Sequence, residues 1–276
     1  MSFRTIDPTS GALGAATKLS GYSACHGVVH DAAQGRWLLM MRGASNAGDA
    51  LYRYGLTRID AQSGKLQGAI DSILELDTMQ YIALASRGGQ PTIARLASDI
   101  GANSFRRVVV SVVGGSAQPI NTSGQEGNAS SPRLLRLGSA SSAPMALLYL
   151  EERAFWGWPG AFPQVLYLQH LNSDGSPKGT RVALTASNEL TTSFAVAYDG
   201  ATLLVLRMVQ RQLEVGARGP APYETRVQLL QLDDDGKERA ALIELSKVIE
   251  KKPSVGYPRL AVDRQALGEA LPPWII

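Results

Sequence analysis

Short runs in which apolar and polar residues alternate recur along the whole chain, each closed by a turn rich in Asp, Asn, Ser and Gly. Alternation with period two puts every second side chain on one face, the pattern of a strand that lies against a core. Phe3-Arg4-Thr5-Ile6-Asp7 leads into Ser10-Gly11, and Leu56-Thr57-Arg58-Ile59-Asp60 into Ser63-Gly64. Residues 167–172 lead into Asp174-Gly175, and 229–233 into Asp235-Gly236, while a weaker version runs from 108–113 into Gly114-Gly115. The marking glycines lie 50 to 61 residues apart, and the interval from Gly236 through Ile276 and round to Gly11 falls in the same range.

Each of these five units reads as four short strands. The first strands are 26–30, 80–85, 133–137, 194–198 and 259–263, followed by tight turns such as Arg87-Gly88-Gly89-Gln90 and Asp199-Gly200. Gly and Asp tolerate the positive φ that such hairpins demand. The second strands, 37–41, 92–96, 145–150 and 202–208, are strongly apolar, as a sheet covered on both faces requires. The chain ends complement each other: 259–276 supplies the first two strands of a unit and 3–19 the last two. Joined, they leave no open edge.

A ring of five such units predicts an all-β fold, a five-bladed β-propeller whose N- and C-terminal strands close the same blade. The even repeat predicts a single domain over 1–276, with blades near 21–71, 72–128, 129–186, 187–247, and 254–276 plus 1–20. The chain resembles the five-bladed propeller superfamily in architecture, and its closure resembles the clasp of many propellers. It has no recurrent Trp-Asp dipeptide, no double glycine in each unit and no Ser-x-Asp-x-Gly-x-Thr-Trp box, so the resemblance implies a fold and not an activity.

Composition narrows the classes. No run approaches the 18 apolar residues of a membrane helix, so no membrane association is expected. The net charge of +3 is too small and too dispersed for a nucleic-acid footprint. Cys25 is the single cysteine, which removes any internal disulfide and favours a reducing, cytoplasmic setting. The first twenty residues lack the basic start and apolar core of a secretory leader, although a mature secreted or periplasmic form would read the same. His26 and His30 would stand about 13 Å apart on a strand, too far for one ion, so neither a metal site nor a cofactor is expected.

The short turns fall on one face of the ring and the long connections on the other. Those connections are 43–50, 98–104, 114–131, 151–163, 209–224 and 246–257, and long loops on a rigid scaffold are where binding residues gather. Residues 154–163 carry Phe155, Trp156, Trp158 and Phe162, and the 211–223 segment adds Arg211, Arg218 and Tyr223. Aromatics and Arg are enriched in interfaces, which makes these the candidate binding residues. Carboxylates near the ends of the inner strands are few: Asp77 and Glu189 are the catalytic candidates if the chain is a glycosidase, with Glu151 and Glu152 at the far end of another strand. No phosphate loop, nucleophile elbow or zinc-protease motif is present.

These features favour a non-catalytic propeller that binds a macromolecular partner, a protein, through its long-loop face, as an inhibitor, immunity or assembly accessory protein. Two alternatives stay open. One is a carbohydrate-binding or glycoside-hydrolysing propeller, since sugars stack on Trp and Tyr faces. The other is a structural module of a larger assembly.

Overall fold

The alternating runs fold as antiparallel hairpins, and the hairpins build five sheets. A computed structural model describes residues 2–5, 12–43, 51–76, 82–98, 106–120, 128–138, 140, 142–152, 164–186, 189–213, 223–250 and 274–275. The chain opens with β1 (Ser2–Thr5) and β2 (Thr17–Lys18). The first complete sheet is β3 (Tyr22–Asp31), β4 (Arg36–Gly43), β5 (Tyr52–Asp60) and β6 (Asp71–Leu76). The second is β7 (Ala83–Arg87), β8 (Gln90–Ser98), β9 (Arg106–Val112) and β10 (Gln118–Pro119). The third is β11 (Ala129–Arg136), β12 (Met145–Glu152), β13 (Gln164–Leu171) and β14 (Pro177–Ala183). The fourth is β15 (Leu190–Tyr198), β16 (Leu203–Gln212), β17 (Tyr223–Leu232) and β18 (Ile243–Glu250), and β19 (Trp274–Ile275) returns to the N-terminus.

This is a five-bladed β-propeller. Within each four-stranded sheet the strands follow chain order, every pairing is antiparallel, and the fifth sheet has the order β19-β1-β2. The clasp is made by Arg4 opposite Ile275 and Thr5 opposite Trp274, with Phe3 opposite Thr17 on the other side. Phe3 and Leu19 are buried against Trp37, Leu39, Met41 and Ile59 of the first sheet, so the N-terminal strands are part of the core. The expected first strand of the fifth unit, 259–263, lies outside the described residues.

The core is split among the seams between neighbouring sheets, and each second strand serves two of them. On β4, Trp37, Leu39 and Met41 face the fifth sheet, whereas Leu38 and Met40 pack with Ile82, Leu84 and Ile93 of the second. On β12, Met145, Leu147 and Tyr149 face the second sheet, and Ala146, Leu148 and Leu150 face the fourth. A strand covered on both faces must be apolar at consecutive positions, which explains the unbroken Leu38-Leu39-Met40-Met41 and Leu147-Leu148-Tyr149-Leu150. On β16 the rule weakens on one side: Leu203 and Val205 are fully buried toward the third sheet, while Leu204, on the opposite face, is half-buried.

The recurrent turn has a recurrent mechanism. Asp60 Oδ1 accepts hydrogen bonds from the backbone N–H groups of Gln62 and Ser63, Asp174 Oδ1 from that of Ser176, and Asp233 Oδ1 from those of Asp235 and Lys237. The glycine that follows takes the left-handed conformation, φ 65° at Gly64, 85° at Gly175 and 82° at Gly236. Gly175 and Gly236 also rest on the preceding sheet, on Val110 and Leu168 respectively. The turns therefore set the spacing between blades as well as reversing the chain.

Candidate functional site

Second strands run from the short-turn end of the ring to the end of the long connections, so the innermost strands β3, β7, β11 and β15 begin at the latter end. Three of these four carry a β-bulge close to their start. On β3 the pairing with β4 slips at Ser23 and again at His26, on β11 the pairing with β12 slips at Ser131-Pro132, and on β15 the pairing with β16 slips at Thr192. Each bulge adds a residue that the partner strand does not match, and it turns that side chain out of the regular alternation.

The causes are local. Pro132 has no N–H to give to the ladder, and Ser131 before it takes φ 53°, the single positive φ among described non-glycine residues. Thr192 Oγ1 donates to the Met208 carbonyl at 3.3 Å, and Ser23 Oγ to the Arg42 carbonyl at 3.4 Å, so side-chain hydroxyls take over partners that a regular ladder would give to the backbone. The bulged residues keep access to solvent: Ser23 is exposed, and His26, Ser131 and Thr192 are half-buried.

A layer of buried polar groups supports this mouth. Thr185 Oγ1 accepts from the Leu166 N–H at 2.9 Å and lies 2.6 Å from Thr191 Oγ1, which fixes the segment leading into β15. Arg207, buried on β16, donates through Nε to Gln228 Oε1 at 3.1 Å, to the Leu184 carbonyl, and lies 3.6 Å from Glu189. Burial pulls the Arg207 guanidinium below its usual pKa, and the charge of Glu189 works against that shift. Beside β11, Asn128 donates to Glu152 Oε2 at 3.0 Å and accepts from the Arg106 N–H at 2.9 Å, tying the strand's start to both neighbours. Within the third sheet Arg181 of β14 bonds Glu151 at 2.8 Å and the Tyr149 hydroxyl at 3.0 Å while lying 4.0 Å above the Tyr167 ring. Burial lowers the Arg181 pKa, but its bonds to Tyr149 and Glu151 outweigh that and raise it overall.

Of the residues singled out from sequence, Glu189 is at this end, immediately before β15, where Leu190 pairs with Gln210. Arg211 is exposed on β16 opposite Glu224, and Tyr223 opens β17 opposite Gln212, so these two lie on the middle strands of the fourth sheet rather than on its innermost strand. Asp77, Phe155, Trp156, Trp158, Phe162 and Arg218 lie outside the described residues. Sequence reading missed Ser131, Thr192 and Arg207. Pro132 within a strand pattern and Arg207 at a core position of Leu203-Leu204-Val205-Leu206-Arg207-Met208-Val209 were the signals available. His26 and His30 sit against different rings, Tyr54 at 5.4 Å and Trp37 at 4.6 Å. Among the described residues no group of three or more His, Cys, Asp and Glu side chains is placed to hold a metal ion, and no helix is long and apolar enough to cross a membrane.

No family model matches the chain, and no curated protein matches it. Among solved structures the chain is similar to an endo-arabinase from Bacteroides thetaiotaomicron VPI-5482, at 14% identity and a TM-score of 0.40 over 86% of this chain and 93% of that one. This likeness corrects the expectation of a non-catalytic scaffold that binds a protein partner: the solved structure is that of an enzyme.

Proposed function

We propose that the chain is a carbohydrate-acting propeller whose glycan lies across the axial mouth, where the innermost strands begin. The observation that supports this reading is the set of bulges at Ser23, Ser131 and Thr192, which leave hydroxyl-bearing residues without a matched partner residue near the starts of the innermost strands of three sheets. A sugar presents hydroxyls in several directions and needs short polar partners on a rigid frame, a demand that a ring of strands meets better than one loop does.

Glycoside hydrolysis is the reaction class this mouth supports. It needs two carboxyl groups flanking the bond, and Glu152 and Glu189 stand beside the starts of the adjacent inner strands β11 and β15. Incubation with a panel of plant and bacterial polysaccharides, read as new reducing ends, tests it. Cleavage that is lost in Glu189→Gln and Glu152→Gln, measured at a temperature where both variants remain folded, supports hydrolysis. Binding without cleavage restricts the role to recognition, and neither binding nor cleavage removes the carbohydrate reading.

A further inference from the structure

The outermost strands of the four complete sheets present unlike edges. β10 is two residues long and contains Pro119, and β14 carries Pro177, Lys178, Gly179 and Arg181. On β6 the apolar residues Ile73, Leu74 and Leu76 are half-buried and pack against the core between the first and second sheets. Short length, Pro, charge and inward packing all protect a sheet edge from pairing with another chain. β18, Ile243-Glu244-Leu245-Ser246-Lys247-Val248-Ile249-Glu250, has neither Pro nor Gly, and among the described strands it is bonded on one side alone, to β17. Five of the eight exposed large apolar side chains among the described residues fall at this edge: Leu242, Ile243, Leu245, Val248 and Ile249, the last of them 64% exposed. A cluster of that kind on an open strand marks a contact surface.

The edge is also complementary to itself. Glu244 pairs with Gln228 and Ser246 with Val227, so Leu245 is an extra, bulged residue. Residues opposite one another in a ladder share a face of the sheet. Glu244, Lys247 and Ile249, opposite Gln228, Arg226 and Glu224, therefore lie on one face, and Ile243, Ser246 and Val248 lie on the other. In a regular strand Glu244 and Lys247, three positions apart, would face opposite ways, and the bulge brings them to the same side. Two copies of β18 placed antiparallel about a two-fold axis between Leu245 and Ser246 then put each Glu244 opposite the other copy's Lys247 on one face. The same register puts Ile243 opposite Val248 on the other face and Leu242 opposite Ile249, so unlike charges meet and apolar side chains meet. Glu244 and Lys247 contact Arg226 at 3.5 Å and Glu224 at 2.8 Å on β17, and their side chains are still 40% and 47% exposed, open to a partner on the outer side.

We infer that β18 is a homodimer interface: it pairs with β18 of a second copy of this chain, and the fourth sheets of the two copies join edge to edge. The inference is independent of the carbohydrate reading. Because a two-fold interface uses the same patch on both copies, each charged contact occurs twice, and single reversals set like charges against each other. Sedimentation equilibrium of the full chain at micromolar concentration reads the mass. The expected result is a dimer that is weakened at least tenfold in Glu244→Lys, where lysine meets lysine, and in Lys247→Glu, where glutamate meets glutamate. Mixing these two variants restores the dimer, because each then offers the charge that the other lacks, and a variant that had merely unfolded could not do so. Val248→Lys, at a half-exposed position, abolishes the dimer at unchanged melting temperature. A monomeric wild type overturns the inference, whether the edge stays open or residues 251–273 of the same chain cover it. Dimers that survive both charge reversals, that fail to return in the mixture, or that tolerate Val248→Lys overturn it as well.

Discussion

Gly236 lies so close to Leu168 of the preceding blade that a methyl group on its α-carbon would fall 2.7 Å from Leu168 Cδ2. The same glycine has φ 82°, so the position excludes a side chain twice over. Gly200 shares the positive φ, at 97°, but has open space around the missing Cβ. Gly200→Ala is expected to cost about 1–2 kcal/mol from backbone strain, and Gly236→Ala about 1–3 kcal/mol more from overpacking against Leu168. Denaturant unfolding of the two variants measures the difference, and equal losses would mean that the turn does not set blade spacing.

The clasp carries stability that belongs to the whole ring. Phe3 is 1% exposed and packs with Leu19, Trp37 and Met41, so Phe3→Ala is expected to cost about 3–5 kcal/mol through lost burial and the remaining cavity. Removing residues 1–20 takes away β1 and β2 and leaves β19 without its partner, which should lower the melting temperature sharply and cause aggregation. Thermal scans with light scattering read both effects.

Arg207 and Glu189 form a pair with side-chain exposures of 7% and 14%. Glu189→Gln leaves a buried guanidinium with Gln228, the Leu184 carbonyl and the charge of Glu238, and about 3–5 kcal/mol is the expected upper scale when one partner of a buried pair is removed. Replacing both, as Arg207→Met with Glu189→Gln, should cost less than the sum of the single changes. A double-mutant cycle on unfolding free energies checks this coupling.

His26 gives the stability a predicted pH dependence. Burial, and then the charge of Arg42, lower its pKa in the folded state, so the unfolded chain binds the proton more readily. Stability is therefore full above the ordinary histidine pKa of about 6.5 and falls as pH drops through and below it. His26→Gln should remove this step from a plot of melting temperature between about pH 7.5 and 5.

The architecture was legible because its signals are local. An Asp, with a Gly one to four residues on, closes the outer hairpin of the first, third and fourth sheets, and doubly apolar second strands such as Leu38-Leu39-Met40-Met41 mark sheets covered on both faces. The pairing of the ends was also readable, and Arg4 does meet Ile275. The site was not legible in the same way. Ser131 and Thr192 look like ordinary strand residues until the register across β11–β12 and β15–β16 is known, and a bulge depends on that pairing rather than on composition. Arg207 reads as an interruption of an apolar strand. Only the fold brings Glu189 beside it from the connection before β15. The aromatic stretch 155–162 is conspicuous in the sequence, whereas small hydroxyl-bearing residues such as Ser131 and Thr192 are not.

A carbohydrate site at the axial mouth is tested most directly by binding to a glycan array, followed by titration of the best ligand against Thr192→Val and Arg211→Ala. Thr192 lies on a bulge at the start of the innermost strand β15, whereas Arg211 lies on β16 next to it. The expected result is a glycan bound by the wild type, weakened at least tenfold by Thr192→Val at unchanged melting temperature, and little affected by Arg211→Ala. Binding that survives Thr192→Val and disappears with Arg211→Ala, or no glycan bound at all, would contradict it.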